Sequence, residues 1–256
     1  MRPHFLFRLI LITAGVLAVA ACGFETVGKE QTSFNNPEPM TGFEHTLTFD
    51  LQGTKMVIPY GYLARYTQNN ATKWLSNAPG RDAYSTNLIE ISVYYKKTDQ
   101  GWVLEPYNQQ NKAHFIQFLR DGLDSVDVIV IRKEACHLNQ DLGKSLLDLG
   151  FKKIPSVYPE YEAYEDKRSI PENPYIHELQ YIKKGGNPAI IIHRNNRVNQ
   201  TEEDSYSTSV GSCINGFTVQ YYPFIREKQQ LTQQELVGYH QQVEQLVQRF
   251  LNHPSK

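Results

Sequence analysis

The chain has 256 residues, of which 40% are hydrophobic, 12% aromatic and 21% charged. That is enough apolar material for a packed core, and it is far from the compositions of disordered, collagen-like or coiled-coil chains. With 26 Lys and Arg against 27 Asp and Glu, the net charge is -1, without the basic excess that neutralises phosphates, so nucleic acid is not an expected partner.

The first residues carry the clearest signal. Arg2 and Arg8 give a basic start, and Leu9 to Ala21 then runs without a charge. This run is shorter than the roughly 20 apolar residues a membrane-crossing helix needs, and it ends in small residues, as a secretory signal peptide does. Its end, Val19-Ala20-Ala21-Cys22, resembles a bacterial lipobox, in which the Cys thiol takes a lipid and the signal is cut before it. The resemblance implies residues 1–21 as signal peptide and Cys22 as lipid attachment site. At about 0.8 kcal/mol per buried methylene, several acyl chains on one residue hold a protein to a bilayer almost irreversibly. Gly23 is not the Asp that keeps such proteins in the inner membrane, which implies the inner leaflet of the outer membrane, with the domain facing the periplasm. Residues 22–41 are polar and turn-rich, with Asn35-Asn36-Pro37-Glu38-Pro39, and read as a flexible tether. The domain is expected over residues 42–256.

Within it, His45 to Leu51 alternates, Gln52-Gly53 makes a turn, and Met56-Val57-Ile58 continues until Pro59, which reads as a hairpin. Leu88 to Tyr95 and Trp102 to Leu104 read as a second hairpin around Asp99-Gln100-Gly101. Ala113 to Leu119 has helical spacing, and Val126 to Ile131 is a strongly apolar strand. Leu142, Leu146 and Leu149 share a helical face that Gly150 closes. His177 to Ile182, Ala189 to His193 and Phe217 to Tyr222 read as strands. The last helix is the clearest element. Thr232 and Glu235 form a capping box, Leu231 and Leu236 a hydrophobic staple, and Leu236, Tyr239, Val243, Leu246, Val247 and Phe250 an apolar stripe. The expected fold class is α+β: antiparallel hairpins covered by a few helices, the C-terminal amphipathic helix packing back on the sheet.

Of three Cys, Cys22 is reserved for lipid, leaving Cys136 and Cys213. In an oxidising compartment these most simply form one disulfide, worth roughly 4 kcal/mol by chain entropy, two buried thiols being the other possibility. The motifs of serine hydrolases, zinc proteases and phosphate loops are all missing. Cys136-His137 is the one suggestive pair, but neighbours along a strand point to opposite faces. No catalytic residue, metal or cofactor is therefore assigned, and the chain is expected not to be an enzyme. Glu160, Glu162, Glu165 and Asp166 cluster with Tyr158, Tyr161 and Tyr164 between Pro155 and Pro171. A crowded, proline-broken acidic loop suits recognition better than acid–base catalysis, because Tyr gives contact area at low entropy and carboxylates steer a basic partner. Tyr158, Tyr161, Glu162, Tyr164 and Glu165 are the candidate contacts for a protein partner, an ordinary acidic surface loop being the alternative.

Three features together resemble the type VI secretion immunity lipoproteins, including those against lipase effectors: the lipobox at Cys22, the stretch Met56-Val57-Ile58-Pro59-Tyr60-Gly61-Tyr62-Leu63, and the Cys213 strand followed by the helix from Thr232. The resemblance implies a lipid-anchored periplasmic protein that binds and neutralises a secreted antibacterial toxin. The other expectations are a housekeeping envelope-assembly or binding lipoprotein, and a periplasmic hydrolase with an unrecognised site.

Overall fold

The computed structural model describes residues 46–63, 84–86, 88–121, 125–133, 136, 138, 141–170, 173–196, 205–223 and 231–252, all within the unit Pro39–Lys256. The signal peptide, Cys22 and the tether lie outside the described residues. The first hairpin forms as its alternation predicts: β1 (Thr46–Leu51) pairs antiparallel with β2 (Thr54–Pro59), Thr46 opposite Pro59 and Leu51 opposite Thr54. Its two turn residues, Gln52 and Gly53, both have positive φ, 49° and 87°, the backbone that matches the twist of the flanking strands. β3 (Tyr84–Thr86) adds parallel to β1, and a short 3₁₀ turn, Tyr60–Leu63, follows β2.

The remaining strands build one nine-stranded sheet. They are β4 (Leu88–Thr98), β5 (Gly101–Glu105), β6 (Val126–Arg132), β7 (Lys152–Ile154), β8 (Tyr161–Ile170), β9 (Asn173–Lys183), β10 (Ala189–Asn196), β11 (Ser205–Ile214) and β12 (Phe217–Tyr221). The order is β5-β4-β6-β12-β11-β10-β9-β8-β7, and every neighbouring pair is antiparallel. With helices α1 (Lys112–Asp121), α2 (Leu142–Asp148) and α3 (Gln233–Asn252), this is the α+β fold the periodicities imply. Although β6 and β7 are consecutive in the chain, five strands lie between them. A disulfide between Cys136 and Cys213, with Cα atoms 5.7 Å apart, ties the chain shortly after β6 to β11.

The core lies against α3. Leu236, Val237, Tyr239, Val243, Leu246, Val247 and Phe250 pack in one cluster with Ile91, Ile129, Ile131, Ile191, Val219 and Tyr221 of the large sheet, and with Phe49, Met56 and Ile58 of the first hairpin. A buried side chain of this size contributes about 1.5–3 kcal/mol relative to exposure. The helix starts where its capping box says: the Glu235 N–H donates to Thr232 Oγ1 at 3.2 Å and the Thr232 N–H to Glu235 Oε2 at 2.6 Å. Leu231 and Leu236, the staple, are both buried.

Both edges of the large sheet reach this helix. From one edge, Lys97 of β4 pairs with Glu235 and Trp102 of β5 lies over Gly238. From the other, Ser156 Oγ accepts from Gln233 Nε2 at 2.8 Å and Glu160 Oε1 from Gln241 Nε2 at 3.2 Å. The sheet thus curls around α3, which holds its two sides together.

β3, β7 and β8 have no counterpart among the strands expected from the sequence, and β11 is read there only in part. The stretch read as a proline-broken acidic loop is β8. It alternates, with Tyr161 and Ala163 in the core, but its outward charges and flanking prolines hide that period. β11 begins well before the Cys213 end that the sequence marks as strand, because Ser and Thr occupy the earlier positions where apolar residues would reveal it. α2 ends as its Gly150 predicts: φ there is 92°, the Gly150 N–H donates to the Leu147 carbonyl and the Phe151 N–H to the Leu146 carbonyl, both at 3.0 Å. Phe151 also packs on Leu146, the contact that accompanies such an ending.

Gly143 in α2 is needed for a different reason, since a Cβ there would lie 2.4 Å from Tyr164 Oη. Gly143→Ala is expected to destabilise the domain by about 1–3 kcal/mol through overpacking, despite the better helix propensity of Ala. Adding Tyr164→Phe should recover part of that loss. Urea unfolding of the two variants and the wild type measures both effects.

Candidate functional site

The five residues expected to form a contact surface do not stand together. Tyr161 and Tyr164 are each only 2% exposed and point to opposite faces of β8. Tyr161 joins the core beneath α3, and Tyr164 packs with Leu146, Phe151 and Ile182 under α2. Neither offers area to a partner, because alternation along a strand buries one face against each covering layer. Tyr158 is half-buried at the edge of the core, its ring 6.4 Å from that of Tyr161.

The carboxylates are engaged at the surface. Glu162 meets Lys153 and Lys184, each at 2.8 Å, and accepts from the Tyr164 hydroxyl at 2.7 Å. Lys153, Lys184 and Tyr164 together hold its carboxyl down at about 2. Glu165 sits between Lys167 at 2.8 Å and His177 at 3.0 Å. Burial raises its pKa, but these two partners outweigh it and leave the carboxyl below its ordinary value. Nearby, Glu178 takes Arg194 Nε at 2.6 Å and Gln180 Nε2 at 2.6 Å.

A second set of ionisable groups lies inside the domain. Asp127 interrupts the apolar run of β6, and its Oδ2 accepts from the Tyr239 hydroxyl of α3 at 2.9 Å. Burial pushes this carboxyl up to about 7, against the lowering effect of the Tyr239 hydroxyl and the backbone N–H groups of Val128 and Tyr222. One position along α3, His240 Nδ1 lies 2.5 Å from the Tyr221 hydroxyl. Burial, helped by Lys183, drives the imidazole down to about 3. Glu244, one turn on, holds Lys183 of β9 at 2.6 and 2.8 Å. Three strands of the sheet are thus joined to one helix by polar contacts. Asp127 within Val126 to Ile131, and His240 and Glu244 at i, i+4 along the apolar stripe, were the sequence signals for this network. The apolar pattern drew attention away from them.

Chemically the set is closed. His240 is 0% exposed, so no substrate reaches it, and Cys136 is tied up with Cys213. His137 lies outside the described residues. Among the described residues no group of three or more His, Cys, Asp or Glu side chains gathers as a metal site, and no helix is long and apolar enough to cross a membrane. What remains accessible is surface.

The described part of the chain is thus an α+β domain whose Asp127 and His240 are sealed in its core. The chain belongs to the family described as RTX iron-regulated protein FrpC, which matches residues 17–256. It is similar to the crystal structure of the Neisseria meningitidis iron-regulated outer membrane lipoprotein FrpD, with 86% sequence identity over 88% of this chain and 100% of that chain, and a TM-score of 0.79. No curated protein matches. These findings support outer-membrane association and a protein partner. They overturn the resemblance to type VI immunity lipoproteins, and with it the reading of the chain as an inhibitor that neutralises an antibacterial toxin. The lipobox is an address shared by many unrelated domains, and the two short stretches that accompanied it were common strand and helix patterns.

The buried groups have a consequence for pH. His240 at about 3 and His193 at about 4, the latter lowered by burial and then by His177, stay neutral in the fold while the unfolded chain takes up protons below about 6.5. They therefore withdraw stability as pH falls from 6.5 towards 4. Asp127 acts in the opposite sense: its folded pKa is raised, so stability is lost as pH rises from about 4 to 7. Asp127→Asn is expected to remove this opposing effect. Relative to wild type, its unfolding free energy should rise by roughly 2–3 kcal/mol between pH 5 and pH 8, measured by denaturant unfolding at both values. A difference that does not vary with pH would contradict the assignment.

Proposed function

We propose that this chain is a lipid-anchored outer-membrane protein that docks an iron-regulated RTX protein of the FrpC kind, and that it acts as a binding module and not as an enzyme. The observation that carries this reading is the 86% identity to the lipoprotein FrpD over the whole of that chain, within a family whose description bears the name of FrpC. The chemistry of the domain supports it. Asp127 and His240, the groups whose protonation burial alters most usefully, fasten a helix and do not face solvent. The exposed side of the domain carries paired charges and partly exposed aromatic residues, which suit recognition. Cys22 would supply the anchor and residues 22–41 the reach.

The mature chain is expected to bind recombinant Neisseria meningitidis FrpC saturably, with one site per chain, in titration calorimetry. No heat and no co-elution at tens of micromolar would overturn the reading. Gly23 after Cys22 favours delivery to the outer membrane, with the domain on the periplasmic side. Under that orientation, a membrane-impermeant amine reagent should leave exposed lysines such as Lys152 and Lys167 unlabelled in intact cells and label them after the outer membrane is opened. Labelling of intact cells would place the domain outside.

A further inference from the structure

Gly238 lies inside α3, on the half-exposed side opposite the apolar stripe, with Gln234, Gln241 and Gln242 around it. Glycine is the poorest helix former after proline, and nothing in the local packing demands it. A Cβ at this position would meet only Trp102 Cδ1 and Tyr158 Oη, both at 3.9 Å, an ordinary contact distance. The backbone is regular helix, so no unusual φ calls for glycine either. The helix therefore forgoes stability at a position where alanine fits.

What the missing side chain leaves is a notch. Its floor is the backbone of α3, one wall is Trp102 from β5, and the other is Tyr158 from the segment between β7 and β8. Both aromatic side chains are half-buried with part of their surface in solvent, and Val157 beside Tyr158 is 58% exposed. The notch therefore sits where the two sides of the curled sheet approach each other. Its rim is acidic: Glu235 is matched by Lys97, whereas the hydrogen bond to Glu160 comes from the neutral amide of Gln241.

We propose that this notch receives an arginine side chain of the protein partner. A guanidinium is planar, packs against an indole, and donates to phenol and carboxylate oxygens, which matches the Trp102 Cδ1 and Tyr158 Oη that face the notch and the Glu160 carboxylate at its rim. Trp, Tyr and Arg are also the residues that carry most binding energy at protein interfaces. The proposal rests on the docking reading above and names where that docking takes place.

The test separates the two. Gly238→Ala, Gly238→Leu and Glu160→Gln are compared with wild type for melting temperature and for FrpC affinity by calorimetry. Gly238→Ala should melt higher than wild type yet bind several-fold more weakly, a combination that loss of structure does not produce. Gly238→Leu should lose at least thirtyfold in affinity, and Glu160→Gln about tenfold with a weaker salt dependence. Wild-type affinity in Gly238→Ala and Glu160→Gln overturns the notch, even where Gly238→Leu fails to fold. If wild type itself does not bind FrpC, the docking reading falls, and N-acetylarginine methylamide decides the notch alone. At millimolar concentration this probe should shift the Trp102 indole N–H resonance, assigned with Trp102→Phe, in wild type and not in Gly238→Leu. An indole that does not move, or that moves equally in both, overturns the proposal.

Discussion

The domain depends on α3 being held at once by the middle of the large sheet and by its two sides. At the centre, Tyr239 reaches Asp127, His240 reaches Tyr221 and Glu244 reaches Lys183. At the rims, Lys97 and Ser156 grip the first turns of the helix from opposite directions. A nine-stranded antiparallel sheet left open would expose one face and two edges. Wrapped on this helix, it buries its inner face, and the first hairpin closes over what remains. Hydrophobic area supplies most of the energy, but area is non-directional. The polar contacts select one rotation and one height of the helix against the strands, since each would be left buried and unpaired in any other.

That arrangement separates fastening from recognition. Asp127 and His240, both shifted by burial, are consumed in holding the helix, while Glu162 and Glu165 at the surface stand in matched pairs with cations. Exposed pairs such as Glu162 with Lys153 and Lys184 contribute little to stability, yet they fix where charge stands on the surface. Such a division suits the proposed docking of a protein partner. Under the proposed function, a lipid on Cys22 would fix location, residues 22–41 would set range, and the folded surface would present a fixed pattern to one partner.

How much of this was legible in the sequence varied with the kind of signal. Local hydrogen-bonding chemistry read well: the turn at Gln52-Gly53, the ending of α2 at Gly150 and the capping box at Thr232 all depend on a few adjacent residues, and all are present in the structure. Alternation failed where the outward face was unusually charged, as in β8, or where the inward face was built from small polar residues, as in β11. Tyr161 and Tyr164 were misplaced for a related reason: three residues apart in a strand they face opposite ways, whereas in a loop they would have been free to converge. Asp127 was passed over because one acid among five apolar neighbours looks like noise until its partner, distant in the chain, is known. The family could not be read from the lipobox, which reports destination and carries no information about what the folded part binds.

The order of elements along the chain bears on when the domain can close. The helix that closes the sheet follows every strand, so a polypeptide emerging amino end first has nothing to wrap until its last segment arrives. Cys136 likewise appears well before the Cys213 that it joins. Closure of the domain therefore waits on its final elements, β11 for the disulfide and α3 for the sheet.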